Sequence, residues 1–455
     1  MIVMKFGGTS VESQEAIARV TGIVQAQEHR RPVVVVSAMG KTTNKLLEAA
    51  HEAATGHRDQ ALALVDEMRG HHLAHGLPLA GAFAAEVDRY IRTHFEWLDE
   101  LVKGLSVVGE LSARSMDAVA SVGERLSSLI VSFAFRASGI RAQHVDSRRV
   151  ILTDGAFTQA QPLFEETYTL LREQVRPTAL RSVVVMGGFI GSTREGQTTT
   201  LGRGGSDYSA AIIGAGIRAE EIQIWTDVDG MLTADPRIIP GGHRVKNISF
   251  AEAAEMAYFG AKVLHPATVA PAIEHNIPVL ILNSKRPDTE GTRITSEAVP
   301  CRNPVKSISC KRNITILNIS STRMLMAHGF MRRIFEIFDR YRTSVDMVST
   351  SEVSVSLTLD NLDSVDAICS ELREFSQVSM EDGQAIVCLV GENIRHTAGI
   401  AGRAFQVLQK KNIRMISQGA SLLNLGFVVS ETDLKDAVAA LHEEFFLDLD
   451  PAVFD

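Results

Sequence analysis

TTTLGRGGSDYSAA, Thr198 to Ala211, is the stretch whose reading decides the fold. A hydroxyl-rich run leads into Gly202, Gly204 and Gly205. Ser206 and Asp207 follow, and then small and aliphatic residues (Ser209, Ala210, Ala211, Ile212, Ile213) that read as a helix. Glycine accepts positive φ and lets backbone approach a ligand closely. The first N–H groups of the helix lack intrahelical partners and can face an anion. Ser206 or Asp207 is predicted to cap that helix. Arg203 offers a planar fork that fits a carboxylate or phosphate. Taken alone, the stretch reads equally well as a tight strand-to-helix turn with an exposed arginine.

Outward from this turn, short apolar runs alternate with helical patterns. IVMKF (Ile2 to Phe6) reads as a buried strand running into Gly7, Gly8, Thr9 and Ser10. Lys5 then lies at a strand's carboxyl end, where open α/β sheets bind ligands. On that segment alone, a solvated strand-end lysine is the favoured reading. VVVV (Val33 to Val36) is a second strand, ending in SAMGKTTN (Ser37 to Asn44). Gly40-Lys41-Thr42 imitates the tail of a P-loop, but the first glycine of that motif would fall at Val35, so the P-loop reading is rejected. Ser37, Thr42 and Thr43 leave hydroxyls for a polar substrate.

Residues 45–139 read almost wholly as helix. GHHLAHG lacks the HExxH arrangement, so His71, His72 and His75 read as solvent-facing. In SVGERLS (Ser121 to Ser127), Gly123 interrupts a helix at a propensity cost of ~1 kcal/mol, which points to a close approach. Glu124 beside it can receive an ammonium group; the alternative is a helix-surface Glu paired with Arg125 or another base. QHVDS, SVVVMGGFIG (ending in an apolar tip at Phe189), IQIWTDVDG and IPVLILNS read as further strands, and STREGQT as a hairpin turn. Thr226, Asp227 and Asp229 cluster after the WT strand, and Asp235-Pro236-Arg237 forms a loop. FAEAAEMAYFGAKVLHP reads as one amphipathic helix with Lys262 and His265 near its end. This alternation implies an α/β domain over 1–295, its mainly parallel sheet sandwiched by helices and its ligand along the carboxyl edge.

The remainder follows a different pattern. Two degenerate βαββαβ units of ferredoxin-like order are predicted, over 312–382 and 383–455. The last unit is short of a strand, which the other unit's chain or the C-terminal tail would supply.

Composition narrows the function. The 455 residues are 45% hydrophobic and 22% charged, with net charge −8, and the pI is about 6.0. This argues against general nucleic-acid binding. MIVMKFGG holds no apolar run long enough for a signal peptide, and no later run is read as a membrane span. Cys301, Cys310, Cys369 and Cys388 are widely spaced and are expected to be reduced, in a cytoplasmic protein.

KFGGTSV, GGFIG, TTTLGRGGSDYSAA, WTDVDG and FGAKVLHP, in that order, resemble the aspartate kinases of the amino-acid-kinase family. STRM…HGFMRRIF, SVDMVSTSEVSVSLTLD and NIRMISQGAS…NLGFVV resemble the paired ACT domains of the lysine-sensitive, monofunctional type. The resemblance covers essentially the whole chain. It implies transfer of the γ-phosphate of ATP, with Mg2+, to the β-carboxylate of L-aspartate, the first step towards lysine, threonine and methionine. By that resemblance Lys5 and Asp207 are catalytic. Ser37, Thr43, Glu124, Phe189, Arg203 and Ser206 bind substrate. Lys5, Gly7, Gly8, Thr226, Asp227, Arg237 and Lys262 bind nucleotide. No protein ligand for a metal is assigned. L-lysine would inhibit at Met324, Gly329, Phe330, Met331, Val345, Asp346 and Ser351. The chain departs from several relatives at Leu232, where they carry a tyrosine facing the nucleotide. The assembly implied is a homodimer through the ACT units, with a tetramer as the alternative, and no nucleic acid or membrane as partner. Two rival readings stay open: a kinase acting on glutamate or acetylglutamate, and a non-catalytic amino-acid sensor.

Overall fold

The computed structural model describes residues 1–260, 264, 266–321 and 328–455. They pack as two units, Met1–Met231 with Leu264–Glu297, and Leu232–Val263 with Ala298–Asp455.

The first unit opens with β1 (Ile2–Phe6), α1 (Gln14–Ala26) and β2 (Pro32–Val36). A helical lobe follows: α2 (Thr42–Ala54), α3 (Arg58–Gly76), α4 (Ala84–Val108) and α5 (Ala113–Ala137). Then come β3 (Ala142–His144), α6 (Phe164–Leu170), α7 (Arg176–Ala179), β4 (Val183–Gly187), the hairpin β5 (Ile190–Ser192) and β6 (Thr198–Thr200), α8 (Gly205–Ile217) and β7 (Glu221–Thr226). The chain passes through β8 (Asn247–Ser249) and α9 (Phe250–Tyr258) in the second unit, and returns with α10 (Ala270–Glu274), β9 (Val279–Asn283) and β10 (Thr292–Thr295). The strand order is β3-β4-β2-β1-β7-β9-β10, parallel except at β10.

β1, β2 and β4 are continuous apolar runs, buried throughout, as parallel strands covered on both faces require. Side chains alternate across the sheet. Ile2, Met4 and Phe6 join the core that Ile17, Leu46, Val65, Phe95 and Leu126 build beneath the helices. Val3 and Lys5 take the other face, against α8, where Gly214 lets the helix close onto Val3 and Ile222. Alternation therefore delivers Lys5 to the sheet's carboxyl edge on the side where α8 begins. α5 is long and apolar enough to cross a membrane, which the sequence reading missed, but 78% of its apolar window is buried within the protein. It is the central helix of the lobe.

The second unit carries β11 (Ser307–Ser320), α11 (Phe330–Arg340), β12 (Val348–Thr350), β13 (Ser354–Leu359), α12 (Val365–Arg373), β14 (Gln377–Val390), α13 (Ile400–Val407), β15 (Met415–Gln418), β16 (Asn424–Ser430) and α14 (Leu434–Phe446). Its sheet runs β12-β13-β11-β14-β16-β15. β11 and β14 are long, and each is shared. Residues 314–320 of β11 pair with 377–384 of β14 in the first half, and 307–311 with 386–390 in the second. Each strand breaks at a left-handed residue, Asn313 (φ 56) and Gly383 (φ 67). The missing strand of the second ACT half is thus the first part of β11, and the expected division at 312 and 383 runs through two shared strands.

Other expectations are corrected. Residues 232–263 leave the 1–295 domain: Glu252 forms a fully buried ion pair with Lys306 (3.0 Å), and Glu255 accepts hydrogen bonds from Ser421 and Asn424 (2.7 Å each). α9 ends at Tyr258, because Gly260 turns at φ 119 so close to the Cys310 carbonyl that no β-carbon fits. SVVVMGGFIG is two strands, parted at Phe189 (φ 67). His72 is a buried core residue against Phe95, its imidazole held near pKa 4 by burial. The four cysteines are free thiols.

Candidate functional site

The carboxyl ends of β1, β2 and β4 lie level, Phe6 opposite Val36 and Val36 opposite Gly187. Beside them opens a cavity of about 510 Å3 lined by Lys5, Ser37, Thr43, Phe189, Arg203, Ser206 and Asp207 among others. Seven of the residues picked out for catalysis and substrate thus share one cavity, although they come from four separate segments of chain. Lys5 Nζ contacts Asp207 Oδ1 at 2.7 Å, both largely shielded from solvent. Arg203 is exposed at the rim.

α8 is not capped as expected. Gly204, at φ 72, is the N-cap, and no side chain caps the helix. Ser206 and Asp207 are the second and third residues of the helix, and Asp207 is directed to Lys5. The Gly205 and Asp207 N–H groups already donate to the Gly202 and Gly204 carbonyls at 3.0 Å each, so what the helix start offers an anion is mainly the positive end of its dipole. Two close approaches fix this geometry. A β-carbon at Gly188 would fall 2.8 Å from Ser206 Cβ, and one at Gly205 would fall 2.7 Å from the Phe189 ring. Phe189 itself holds a left-handed conformation that is costly for a bulky residue, its N–H donating to Ser209 Oγ at 2.9 Å. Backbone strain of this kind concentrates at functional sites.

Gly7 and Gly8 are not part of the cavity wall. The Gly7 N–H donates to the Trp225 carbonyl, and a β-carbon at Gly8 would meet the Gly40 carbonyl at 2.9 Å. They bring the ends of β1, β2 and β7 together. Glu124 also lies outside the lining, deeper, between the ends of β2 and β4. Oε1 accepts the Ala38 N–H at 3.2 Å, while Oε2 is buried without a partner. Burial lifts its carboxyl to about 8. The surface pair with Arg125 does not form, because Arg125 donates to His94 instead. Gly123 is explained by Ala38, whose Cβ would lie 2.6 Å from a β-carbon there.

Sequence reasoning missed Asp117. It is buried on α5, seven positions before Glu124, and binds the Thr158 N–H, the Thr200 N–H and the Thr200 hydroxyl at 2.9, 3.0 and 2.6 Å. It ties β6 and the 158 loop to α5, and so holds the turn ahead of Arg203. An acid seven positions before another on a small-residue helix face was the available signal.

The nucleotide set is less gathered. Thr226 and Asp227 stand at the end of β7, with their side chains 3.3 Å apart. Asp229 is held by Asn283 and Arg286 as a loop clasp. Arg237 belongs to the second unit, where Asp235 engages its guanidinium through both oxygens. Lys262 lies outside the described residues.

In the regulatory set, Gly329 (φ 82) is the N-cap of α11, with Phe330 and Met331 in its first turn and no side chain capping it. Val345 packs against that unit's core. Asp346 is not a solvated loop acid: its side chain is buried, Lys311 binds it at 2.6 Å and the Tyr258 hydroxyl at 3.3 Å. Asp360 also contacts Lys311, at 2.7 Å. Ser351 is turned to Ser354. Met324 lies outside the described residues.

Comparison with known proteins places the fold. Residues 1–283 match the amino acid kinase family, and residues 387–445 match an ACT domain. Lysine-sensitive aspartokinase 3 of Escherichia coli is 38% identical over 98% of this chain and 99% of its own. A crystal structure of E. coli aspartokinase III in complex with aspartate and ADP, its R-state, superposes with TM-score 0.83 at 37% identity, covering 98% of this chain and 100% of that one. The T-state of the same enzyme, in complex with lysine and aspartate, gives TM-score 0.85 at 37% identity over 98% and 99%. The chain therefore belongs to the amino acid kinase family, in the aspartokinase branch whose kinase unit is joined to ACT units.

Proposed function

We propose that the protein phosphorylates the β-carboxylate of L-aspartate with ATP, giving 4-phospho-L-aspartate, and that L-lysine inhibits it. The Lys5–Asp207 pair, set between the cavity and the open N-terminus of α8, carries this reading. Phosphoryl transfer depends on positioning and charge neutralisation. Lys5 stabilises charge on the transferring phosphoryl oxygens, and Asp207 fixes its ammonium. The N–H groups at the start of α8 add a favourable dipole. The β-carboxylate is ionised at neutral pH and needs no general base. Arg203 binds the α-carboxylate and Glu124 the α-ammonium, whose arrival satisfies the buried Oε2. Ser37, Thr43 and Ser206 orient the substrate against Phe189. Gly7 and Gly8 shape the phosphate end, with Thr226, Asp227, Arg237 and Lys262 on the nucleotide side.

Magnesium enters this scheme with ATP. In nucleotide sites magnesium takes most of its ligands from phosphate oxygens and water, so phosphate oxygens are assigned as its main ligands. Lysine is assigned to the first ACT half, with its carboxylate at the start of α11 and its ammonium at Asp346. Met324, Val345 and Ser351 complete that site. Val348 and Ile416, exposed on the edge strands β12 and β15, support a homodimer through the ACT halves, and the free thiols fit a cytoplasmic setting.

The test is a hydroxylamine-trapped kinase assay with aspartate, glutamate and N-acetylglutamate, each with and without lysine. Hydroxamate from aspartate alone, suppressed by lysine, is expected. Turnover of glutamate or N-acetylglutamate in its place assigns the neighbouring kinase activity, and no turnover of any acid leaves the sensor reading.

A further inference from the structure

α5 has a second functional face. Asp117 and Ala120 line the catalytic cavity, whereas Ser121 and Arg125 line a separate cavity of about 340 Å3, together with His94 and Trp97 of α4, Arg148 and Thr198. Its charges are unbalanced. Arg148 is matched by Asp146, which it grips through both carboxylate oxygens. Arg125 has no carboxylate of its own among the described residues. It donates to His94 Nε2 at 2.7 Å, and its Nε is buried without a partner. His94 is neutral in that role. Its Nδ1 donates to the Tyr90 carbonyl at 2.9 Å, which leaves Nε2 as acceptor, and burial with the adjacent guanidinium holds the ring near pKa 4. Two guanidiniums thus face one carboxylate across a neutral ring, a net excess of one positive charge in a half-buried cleft.

A buried guanidinium with an unfilled donor favours an anion, because a charge-assisted hydrogen bond replaces an unmade one. The single excess charge suits a monoanion better than a phosphate dianion. Trp97, 43% exposed, offers a ring face to an apolar or planar body. Ser121 donates to the Ala118 carbonyl, while the Thr198 hydroxyl accepts from Arg148 at 3.2 Å and keeps its own proton to donate. No free carboxylate lines the cleft to take an ammonium, which separates this site from one built for an amino acid.

We propose that this cleft is a second ligand site of the kinase unit, binding a small monocarboxylate with an apolar or planar body through Arg125 and Arg148. Its ligand would bear on the helix that also carries Asp117 and Glu124, and on Thr198, two residues from Thr200 in β6.

The chain holds two tryptophans. Trp97 is at the cleft, and Trp225 is 3% exposed in the core. The full chain labelled with 5-fluorotryptophan gives one 19F resonance for each, assigned with Trp225→Phe. Benzoate is the probe. A saturable shift of the Trp97 resonance is expected, with the Trp225 resonance unmoved. Arg125→Met should weaken it ~10-fold or more. Ala118 also lines the cleft, and Ala118→Leu, which fills it without removing a polar side chain, should abolish the shift and keeps the test open if Arg125→Met fails to fold. No saturable shift up to 50 mM benzoate, a shift unchanged by both variants, or equal binding of inorganic phosphate would overturn the assignment.

Discussion

The two regions assigned to bind small amino acids treat their charged groups in opposite ways. In the kinase unit the charges wait for a ligand. Lys5 and Asp207 pair at the wall of an open cavity, and Glu124 keeps one buried oxygen unpartnered. In the ACT region the acid proposed for the effector ammonium is already occupied. Lys311, a lysine of the chain itself, sits on Asp346 and is shared with Asp360. Catalysis favours preorganised groups that need no rearrangement at the moment of reaction. Regulation needs two states with different affinity for the effector, and a built-in ammonium that must leave Asp346 before free lysine arrives separates two such states.

The largest effect should come from the preorganised side. Lys5→Ala is expected to lower kcat ~10³-fold while aspartate binding, read by thermal shift, stays near wild type. A mutant with near wild-type turnover would remove Lys5 from the chemistry. Glu124→Gln should come next. It keeps an acceptor for the Ala38 N–H but loses the charge, so KM for aspartate should rise ~10-fold or more with KM for ATP spared. A rise confined to ATP would place Glu124 on the wrong side of the cavity.

On the occupied side, Asp346→Ala should retain activity and lose most lysine inhibition. Lys311→Met should act in the opposite sense, lowering the lysine concentration for half-inhibition ~10-fold because a competing ammonium is gone. An unchanged lysine titration in Lys311→Met would show that Lys311 need not move, and the contrast between the two sites would fail.

The smallest effect is a pH dependence. The folded Glu124 carboxyl is raised to about 8 from an ordinary 4.5, so its ionisation in the empty site disfavours folding as pH climbs between those values. This cost is absent below the unfolded value and complete above the folded one. An ammonium ligand needs the ionised form. KM for aspartate should therefore fall ~5-fold from pH 7 to 8, and aspartate should raise Tm more at pH 8.5 than at pH 6. Glu124→Gln should flatten both profiles.

The kinase half was readable in the sequence because its signals are local. Uninterrupted β-branched runs mark parallel strands, and the glycines around Arg203 mark a left-handed turn that favours glycine. The positions of Lys5 at a strand end and Asp207 at a helix start were local too, but their catalytic roles came only from the family resemblance, since on its own segment Lys5 read as a solvated lysine. What escaped depends on tertiary partners. Asp117 is a mid-helix acid whose partners lie 41 and 83 residues away. Residues 232–263 look like another α/β segment, and it takes distant partners, the buried Glu252–Lys306 pair and the Ser421 and Asn424 bonds to Glu255, to show that they pack with the ACT halves. The sharing of β11 and β14 between two halves is set by breaks at Asn313 and Gly383, which no local pattern marks. Nothing near Lys311 in the sequence announces Asp346 as its partner.

The most direct test of the central claim follows the oxygen that joins aspartate to phosphorus. The enzyme is incubated with ATP and L-aspartate labelled with 18O in the β-carboxylate, and the acyl phosphate is observed by 31P NMR. The account predicts an isotope-shifted acyl phosphate resonance from the wild type and none from Lys5→Ala. An unshifted resonance, or none from the wild type at saturating aspartate and ATP, would contradict it.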